Sequence, residues 1–406
     1  MATEQRIGFS LSRRATLGTV LRLIPALVIM VAMLVTYSCG SPGLLDPVSD
    51  DGSPTATPTS GSGMLAFVTN FNDAKVSSFT RNPTTGVLKH TGQVVAGKKS
   101  GPRGVVATPN GEFLYVANIN DNNIYEFSIN ANNGTLTPLT PASVGNGSGS
   151  GPDELAVNST GTLLWVTNAH NGTVGSYMIS AGTGQLTSVG TIGGFQTPFG
   201  ITLNPSLNVL YVSDTTTGLI WPMTYNTTTG ALTQNFTPEH SSDPSANTPA
   251  AIAVDSGGDA LFIADQVLGE VSSFAVDTTT GAITPEFTFA NNTTGDKPVG
   301  VALAVNTSVE FLFTANFGSS TISSFVVTSE TTVNTPPTVA SGYNGAKGIV
   351  VDPQNVFVYT ADSADGTVGM ATINGTCGSQ ICAGTLVSTE SPHNANSGPF
   401  GITLAQ

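Results

Sequence analysis

Tyr115-Val116-Ala117-Asn118 is one of seven copies of the tetrapeptide that decides the fold of this chain. Each copy places an aromatic residue, a β-branched residue, a small residue and Asn or Asp in that order. The other copies begin at Phe67, Trp165, Tyr211, Phe262, Phe313 and Tyr359. The last residues of successive copies are 48, 50, 46, 51, 51 and 46 positions apart. A long, regular period with aromatic and β-branched residues predicts repeated small β-sheets, as in a propeller.

Four short strands are predicted in each repeat, and the repeat from Pro298 to Gly345 shows their order. Residues 299–303 form an apolar run after a Pro-x-Gly break, and residues 310–316 form an aromatic-rich run. Residues 321–327 alternate in polarity, and a weaker run lies at 338–340. Short runs bounded by Gly, Pro, Asn and Ser are strand signals. We name the four predicted strands A, B, C and D in chain order.

The turn between strands C and D ends in glycine in five repeats. These glycines are Gly86, Gly134, Gly184, Gly230 and Gly281. Glycine supplies the positive φ that such tight connections need, so its recurrence marks a turn of fixed geometry. In the seventh repeat, a loop between Cys377 and Cys382 takes the place of this turn.

Two leftover strands at the ends of the array predict that the repeats close into a ring. Strand A begins at Pro102, Pro152, Pro198, Pro249, Pro298, Ala346 and Pro399. The first strand B, from Leu65, has no strand A before it, and the last strand A, at residues 400–404, has no strand B after it. Pairing the two removes a free sheet edge and secures both ends. We therefore predict an all-β, seven-bladed β-propeller of four-stranded blades at residues 64–406, closed by the C-terminal strand beside the N-terminal blade.

Residues 1–39 are predicted to be a signal peptide, and residues 40–63 a disordered tether rich in Gly, Ser, Pro and Thr. A basic start precedes an apolar run at 23–35, which is short for a membrane span and typical of a signal-peptide core. Ser38-Cys39-Gly40 resembles a lipoprotein cleavage site, so Cys39 is the predicted lipidation site. The signal predicts general export, and Ser12-Arg13-Arg14, which resembles a twin-arginine signal, makes that route the alternative. Either route predicts an extracytoplasmic protein of the bacterial cell envelope, membrane-anchored or secreted.

The composition restricts the partners of the folded body. The net charge is −14, only 9% of residues are charged, and the basic residues after residue 39 are two arginines and six lysines. This acidic body argues against nucleic acid and against docking on anionic lipid by charge, since both need a basic surface. We expect a monomer whose partner is a small molecule, a glycan or an envelope protein, with membrane contact only through the N-terminal lipid.

The cysteines and histidines give no sign of a metal or cofactor site. Cys377 and Cys382 are the body's only cysteines, and an oxidising compartment favours a disulfide between them. His90, His170, His240 and His393 are far apart in sequence, so no protein-held metal is expected. The sequence also lacks the G-x-S-x-G elbow of serine hydrolases and a phosphate-binding loop. No cofactor is therefore expected.

A funnel at one end of the central channel is the predicted site. Strand direction alternates, so the D-to-A and B-to-C connections lie on the same face, where the first residues of strand A line the channel mouth. The predicted funnel residues are Arg103, Asp153, Glu154, His170, Phe199, Asp214, Asp265, Lys297, Lys347, Asp362 and Phe400. The Asn and Asp residues that end strand B have a structural explanation as well, because such side chains bond to their own turn backbone.

The aromatic-V-T/A-N strand, the Pro-x-Gly start of strand A and the T-T-G-x-L-T turn resemble the YVTN-type repeats of seven-bladed lactonase-like propellers. That family includes 6-phosphogluconolactonases, muconate-lactonizing relatives and surface-layer or exported proteins. In its enzymes, a G-P-R-H start to strand A and an N-E after strand B supply the proposed catalytic His and Glu. Gly101-Pro102-Arg103 keeps the first three positions here, but Gly104 stands at the His position and Ile119 at the Glu position. No other blade supplies either residue.

Two main hypotheses follow from the resemblance. The first is an exported, lipid-anchored propeller that binds a ligand or partner on one face. The second is a lactone-ring hydrolase with a rearranged site, in which Asp153, Glu154 or His170 acts as base. Arg103, Lys297 or Lys347 would then stabilise the oxyanion. A structural component of the cell envelope is a third alternative.

Overall fold

The computed structural model describes residues 65–241, 248–288, 295–306, 309–329, 332–333, 338–374, 385–388, 393–395 and 397–405. Every regular element among these residues is a β-strand, and the strands form seven antiparallel sheets. No helix in this part of the chain is long and apolar enough to cross a membrane. The predicted signal peptide, tether, Cys39 and the Cys377–Cys382 pair lie outside the described residues.

Each sheet is one blade, with its strands in the order A, B, C, D from the channel outward. The first three blades contain, in chain order, β1 (Leu65–Asn70), β2 (Lys75–Arg81), β3 (Leu88–Val95), β4 (Pro102–Ala107), β5 (Phe113–Asn118), β6 (Asn123–Ile129), β7 (Leu136–Gly145), β8 (Pro152–Val157), β9 (Leu163–Asn168), β10 (Thr173–Ile179) and β11 (Leu186–Gly193). The fourth and fifth contain β12 (Pro198–Leu203), β13 (Val209–Asp214), β14 (Leu219–Tyr225), β15 (Leu232–Thr233), β16 (Glu239–His240), β17 (Pro249–Val254), β18 (Ala260–Asp265), β19 (Glu270–Val276) and β20 (Ile283–Thr288).

The last two blades contain β21 (Pro298–Asn306), β22 (Val309–Asn316), β23 (Thr321–Ser329), β24 (Thr332–Val333), β25 (Thr338–Ser341), β26 (Ala346–Val351), β27 (Phe357–Asp362), β28 (Thr367–Asn374), β29 (Thr385–Ser388) and β30 (His393–Asn394). The outermost strand is split in blades 4, 6 and 7, where two short pieces pair with the same strand C. These sheets therefore keep the four-stranded plan.

The final strand, β31 (Pro399–Ala405), closes the ring. It is the innermost strand of the first blade and pairs antiparallel with β1, from Leu65↔Ala405 to Asn70↔Pro399. The seven-bladed fold and its closure are confirmed, and each strand A begins at the residue predicted from the sequence.

Strand B is buried on both faces because each blade packs against a neighbour on each side. All six residues are buried in β1, β9, β13, β18 and β27. This explains why the tetrapeptide has no polar–apolar alternation. Seven apolar clusters fill the blade junctions, and in one of them Tyr115 and Ala117 of one blade contact Leu164 and Val166 of the next. Burying one such side chain contributes about 1.5–3 kcal/mol.

When the first residue of the tetrapeptide is Tyr or Trp, its side chain also donates a hydrogen bond to the neighbouring blade. In each case the donor reaches the carbonyl oxygen of the glycine in the next blade's C-to-D turn. The pairs are Tyr115–Gly184 at 2.6 Å, Trp165–Gly230 at 2.8 Å, Tyr211–Gly281 at 3.1 Å and Tyr359–Gly86 at 2.6 Å. These turn glycines have φ between 70° and 83°, as their recurrence predicted.

Candidate functional site

A cavity of about 420 Å³ lies in the central channel and is lined mainly by the first residues of the A strands. Each A strand starts at the end where strand B finishes, as the pairing Pro102↔Asn118 shows. Gln266 and Phe317, which follow strand B in their blades, also line the cavity. The cavity lining therefore comes from the face that carries the B-to-C and D-to-A connections.

The cavity wall has three layers that follow the A strands inward. The residue after the initial proline or alanine gives the outer layer in five blades: Arg103, Phe199, Val299, Lys347 and Phe400. Glycine occupies the second layer in most blades, with Glu154 and Ala251 as the exceptions. The third layer is aliphatic and consists of Val105, Ile201, Ile252, Val301, Ile349 and Ile402.

The second-layer glycines allow neighbouring A strands to approach closely around the channel. A Cβ at Gly200 would lie 2.5 Å from the carbonyl oxygen of Ala250, and one at Gly348 would lie 2.7 Å from that of Phe400. At Gly104 a Cβ would meet the carbonyl oxygen of Asp153 and lie 2.9 Å from the Cα of Glu154. A histidine cannot stand at position 104 unless the backbone of the next blade moves.

Arg103 is the central cation of the site. Its guanidinium Nη1 forms an ion pair with Oδ2 of Asp153 at 2.5 Å, and Asp153 is only 1% exposed. The guanidinium also lies over two rings, 5.7 Å from the centroid of Phe71 and 5.0 Å from that of Phe400. The Nε of Arg103 is buried and has no hydrogen-bond partner among the described residues. The site therefore holds a buried N–H donor without an acceptor.

Lys347 places a second positive charge at the same mouth. Its Nζ lies 4.6 Å from the ring centroid of Phe400 and 5.2 Å from that of Phe317. Burial lowers the pKa of Lys347, and the nearby charge of Arg103 lowers it further. Phe400 thus lies beside both cations, and cation–π attraction to its ring holds the two side chains at the cavity mouth.

Glu154 carries the one carboxyl group among the described residues that line the cavity. Desolvation raises its pKa to about 8; the charge of Asp153 adds to the rise and Arg103 opposes it. The Oε2 atom would lie 3.1 Å from a Cβ at position 104. The carboxyl group of Glu154 is therefore next to Gly104, the position at which the family resemblance expects a histidine. At neutral pH most Glu154 side chains carry a proton.

Six residues predicted for the funnel do not line the cavity. Asp153 lies behind Arg103, while His170 and Lys297 are exposed elsewhere on the face. Asp214, Asp265 and Asp362 are at most 1% exposed and lie inside the blades. Asp214 accepts hydrogen bonds from backbone N–H groups of both adjoining connections at 2.7–3.2 Å. The structure does not place these three aspartates on the cavity wall. Asp214 and Asp265 accept hydrogen bonds from turn N–H groups, whereas both carboxyl oxygens of Asp362 are buried without a partner among the described residues.

Several cavity residues were not among those predicted. Gln266 and Phe317 directly follow the tetrapeptide in their blades. They lie in B-to-C connections, so the same argument that predicted the strand-B aspartates to lie at the channel mouth applies to them. The aliphatic third layer follows from its position, two residues beyond the outer-layer residue of each A strand. Within the described ranges, no group of three or more His, Cys, Asp or Glu side chains is arranged to hold a metal ion.

The family model described as Lactonase, 7-bladed beta-propeller, matches residues 48–301 and 210–362 of the chain. No curated protein sequence matches it significantly. Among solved structures, a candidate 6-phosphogluconolactonase of Bacteroides uniformis is 14% identical with a TM-score of 0.71, over 84% of this chain and 99% of that one. A protein of Lactobacillus plantarum is 18% identical with a TM-score of 0.68, over 85% and 100%. At these identities the structural similarity shows the fold alone.

Proposed function

The chain belongs to the lactonase family of seven-bladed β-propellers, and from this premise we propose that its central cavity binds a small organic anion. The cavity lies at the small end of the range for ligand sites, about 300–1,000 Å³. Its polar groups converge at the mouth, where Arg103 and Lys347 supply positive charge. An anion of a few carbon atoms therefore fits both the size and the charge of the site.

The observation that carries this proposal is the buried Nε–H of Arg103, which has no acceptor in the described part of the chain. A buried donor without a partner costs about 1–3 kcal/mol, and an anionic oxygen from a ligand removes that cost. Asp153 holds Nη1, while Phe71 and Phe400 contact the guanidinium, so the donor is oriented before the ligand arrives. Such preorganisation favours binding because little side-chain entropy is lost.

Binding without hydrolysis is favoured over the family's chemistry because of position 104. The family resemblance places a catalytic histidine there, and this chain has a glycine packed against the backbone of the next blade. The position of the family glutamate is occupied by Ile119, which is 5% exposed. These two positions support a role in binding.

Lactone hydrolysis is the second candidate, and Glu154 is the observation that favours it. In this reaction the carboxylate takes a proton from water as the hydroxide adds to the lactone carbonyl. Arg103 and Lys347 stabilise the oxyanion; the ring C–O bond then breaks, and Glu154 returns its proton to the ring oxygen, giving a hydroxy acid and the free carboxylate. Because desolvation raises the pKa of Glu154 to about 8, this activity would rise with pH through that value.

Calorimetric titration of the purified protein with hexanoate, benzoate and gluconate tests the first proposal. We expect at least one acid to bind, and Arg103→Lys to weaken that binding at least tenfold, since lysine keeps the charge but loses the Nε donor. Lys89→Arg, at an exposed strand position, is the matched control and leaves binding unchanged. If none of the acids binds at millimolar concentration, the proposal fails. Turnover of gluconolactone that rises toward pH 8 and disappears in Glu154→Gln would support the second candidate instead.

A further inference from the structure

The two ends of the cavity differ in chemistry. The side chains that carry charge or an amide, Arg103, Glu154, Gln266 and Lys347, come from the first two layers and the adjoining turn. Two residues beyond Arg103 and Lys347 on their A strands, about 7 Å at the usual rise per residue, the cavity wall is aliphatic. Among the described lining residues of this deeper layer, every one is valine or isoleucine. A ligand that fills the cavity must therefore be polar at one end only.

The net charge of the side chains at the cavity mouth matches a ligand that carries a single negative charge. Arg103 is already paired with Asp153, and Glu154 is mostly neutral at pH 7 because burial raises its pKa. Lys347 forms no ion pair with any described residue, so it is the uncompensated cation of the lining. A phosphate dianion would bring more charge than the mouth balances, and buried charge without a partner is costly.

The aliphatic layer also disfavours ligands with many hydroxyl groups. Each hydroxyl that moves from water to an apolar wall without a hydrogen bond costs about 1–3 kcal/mol by protein mutational measures. Methylene or aryl groups gain free energy at the same wall, because their burial removes apolar surface from water. Ile252, Ile349 and Ile402 therefore select an apolar body over the polyhydroxylated chain of a sugar acid.

We propose that the cavity takes a monocarboxylic acid with an apolar body, the carboxylate at Arg103 and Lys347 and the body against the aliphatic layer. This inference rests on the proposed function and adds the class of ligand. One carboxylate oxygen accepts from Nε of Arg103, and Lys347 balances the charge. The apolar body extends inward along the channel past Gly348 and Gly401, which line the cavity and have no side chain.

A homologous series of acids tests the length and polarity of the body. Titrate the protein calorimetrically with butanoate, hexanoate and octanoate, and compare gluconate, 6-phosphogluconate and the neutral octanamide. We expect affinity to rise about two- to fourfold for each added methylene until the aliphatic layer is filled. Gluconate, 6-phosphogluconate and octanamide are each expected to bind at least tenfold more weakly than hexanoate.

Three variants separate the two ends of the site. Lys347→Met is expected to weaken all the acids by a similar factor, because it removes the charge but not the apolar wall. Ile349→Thr is expected to reduce the gain per methylene while butanoate binding changes little. Lys89→Met, on the outer edge of the first blade, is the matched control and changes neither quantity.

The outcomes distinguish this inference from the proposed function. If affinity is flat along the series, or if gluconate or 6-phosphogluconate binds as tightly as hexanoate, the ligand class is wrong while anion binding stands. If no acid in the panel binds at millimolar concentration, both are wrong. A chain-length gain that Ile349→Thr reduces and Lys89→Met does not would support the inference.

Discussion

At the residue scale, Glu154 shows how one side chain takes its properties from a local irregularity. In the A strands a register shift follows the initial residue, as between Pro152 and Leu155 in β8. Most blades have glycine at the second position after this residue, but blade 3 has Glu154 there. The preceding Asp153 side chain is buried and pairs with Arg103. The carboxyl group of Glu154 therefore faces the channel, where desolvation raises its pKa to about 8.

We expect Glu154 to make folding stability fall as pH rises. Its pKa is higher in the folded chain than the ordinary 4.5, so between about pH 4.5 and pH 8 the folded state holds the proton that the unfolded state has lost. Stability from this group is complete below pH 4.5 and is lost as the pH approaches 8. The difference in melting temperature between Glu154→Gln and the parent should increase in favour of the variant from pH 5 to pH 8.5. A constant difference across that range would contradict the raised pKa, and Glu112→Gln, on an exposed turn, is the matched control.

The sequence predicted the cations of the site better than its carboxylates. Arg103, Lys347, Phe199 and Phe400 were found by position alone, because strand A lines the channel in any propeller. An aspartate at the end of strand B can face the channel or bond to its own turn, and for Asp214 and Asp265 only the hydrogen bonds of the folded turn distinguish the two. Which of Asp153 and Glu154 faces the channel depends on the backbone shift in β8, which no residue pattern specified.

At the element scale, the A strands are packed more closely than side chains on both sides would permit. Gly104, Gly200, Gly300, Gly348 and Gly401 each lie against backbone of the next A strand. Hydroxyl groups at the third tetrapeptide position join strand B of one blade to strand A of the next: Thr69 donates to the carbonyl oxygen of Arg103 at 2.6 Å, and Ser213 to that of Ala250 at 2.6 Å. This contact accounts for the third residue in the copies that have Thr or Ser there; the other four copies have Ala.

Gly104→Ala is expected to destabilise the protein by about 1–3 kcal/mol, the usual cost of inserting a group into packed structure. The added Cβ meets the backbone of Asp153 and Glu154, which cannot rotate away. Urea unfolding measures the change. Gly92→Ala is the matched control, since a Cβ there meets nothing within 4 Å, and it should leave stability unchanged or raise it by up to about 1 kcal/mol. If the two substitutions change the free energy of unfolding equally, the A strands are not packed too closely for a Cβ at position 104.

At the scale of the whole molecule, the junction between the last and first blades carries contacts that join the two ends of the chain. Arg81 of β2 forms an ion pair with Asp352 at 3.1 Å, and both side chains are fully buried. Asp352 also accepts hydrogen bonds from the backbone N–H groups of Val356 and Phe357. With Tyr359 bonded to Gly86 as well, this junction has polar links in addition to the pairing of β31. One of the two arginines of the body is used here and the other in the cavity.

Arg81→Met is expected to cost about 3–5 kcal/mol, because it leaves the buried carboxylate of Asp352 without its cation. Thermal unfolding should show a lower melting temperature, with Arg81→Lys intermediate since it keeps the charge. Lys89→Met is the exposed control on the neighbouring strand and should shift the melting temperature little. If Arg81→Met and Lys89→Met melt together, the junction does not depend on the ion pair.

The closing strand β31 also forms part of the cavity wall, through Phe400, Gly401 and Ile402. A molecule in the cavity therefore touches the strand that closes the ring, and the wall is incomplete until that strand has paired with β1. A ligand that binds only the closed ring, at a concentration one hundred times its dissociation constant, would stabilise that state by about 2.7 kcal/mol. Ligand occupancy and closure of the ring would therefore be thermodynamically coupled, and a chain truncated before Pro399 would lose part of the cavity wall together with the closing strand.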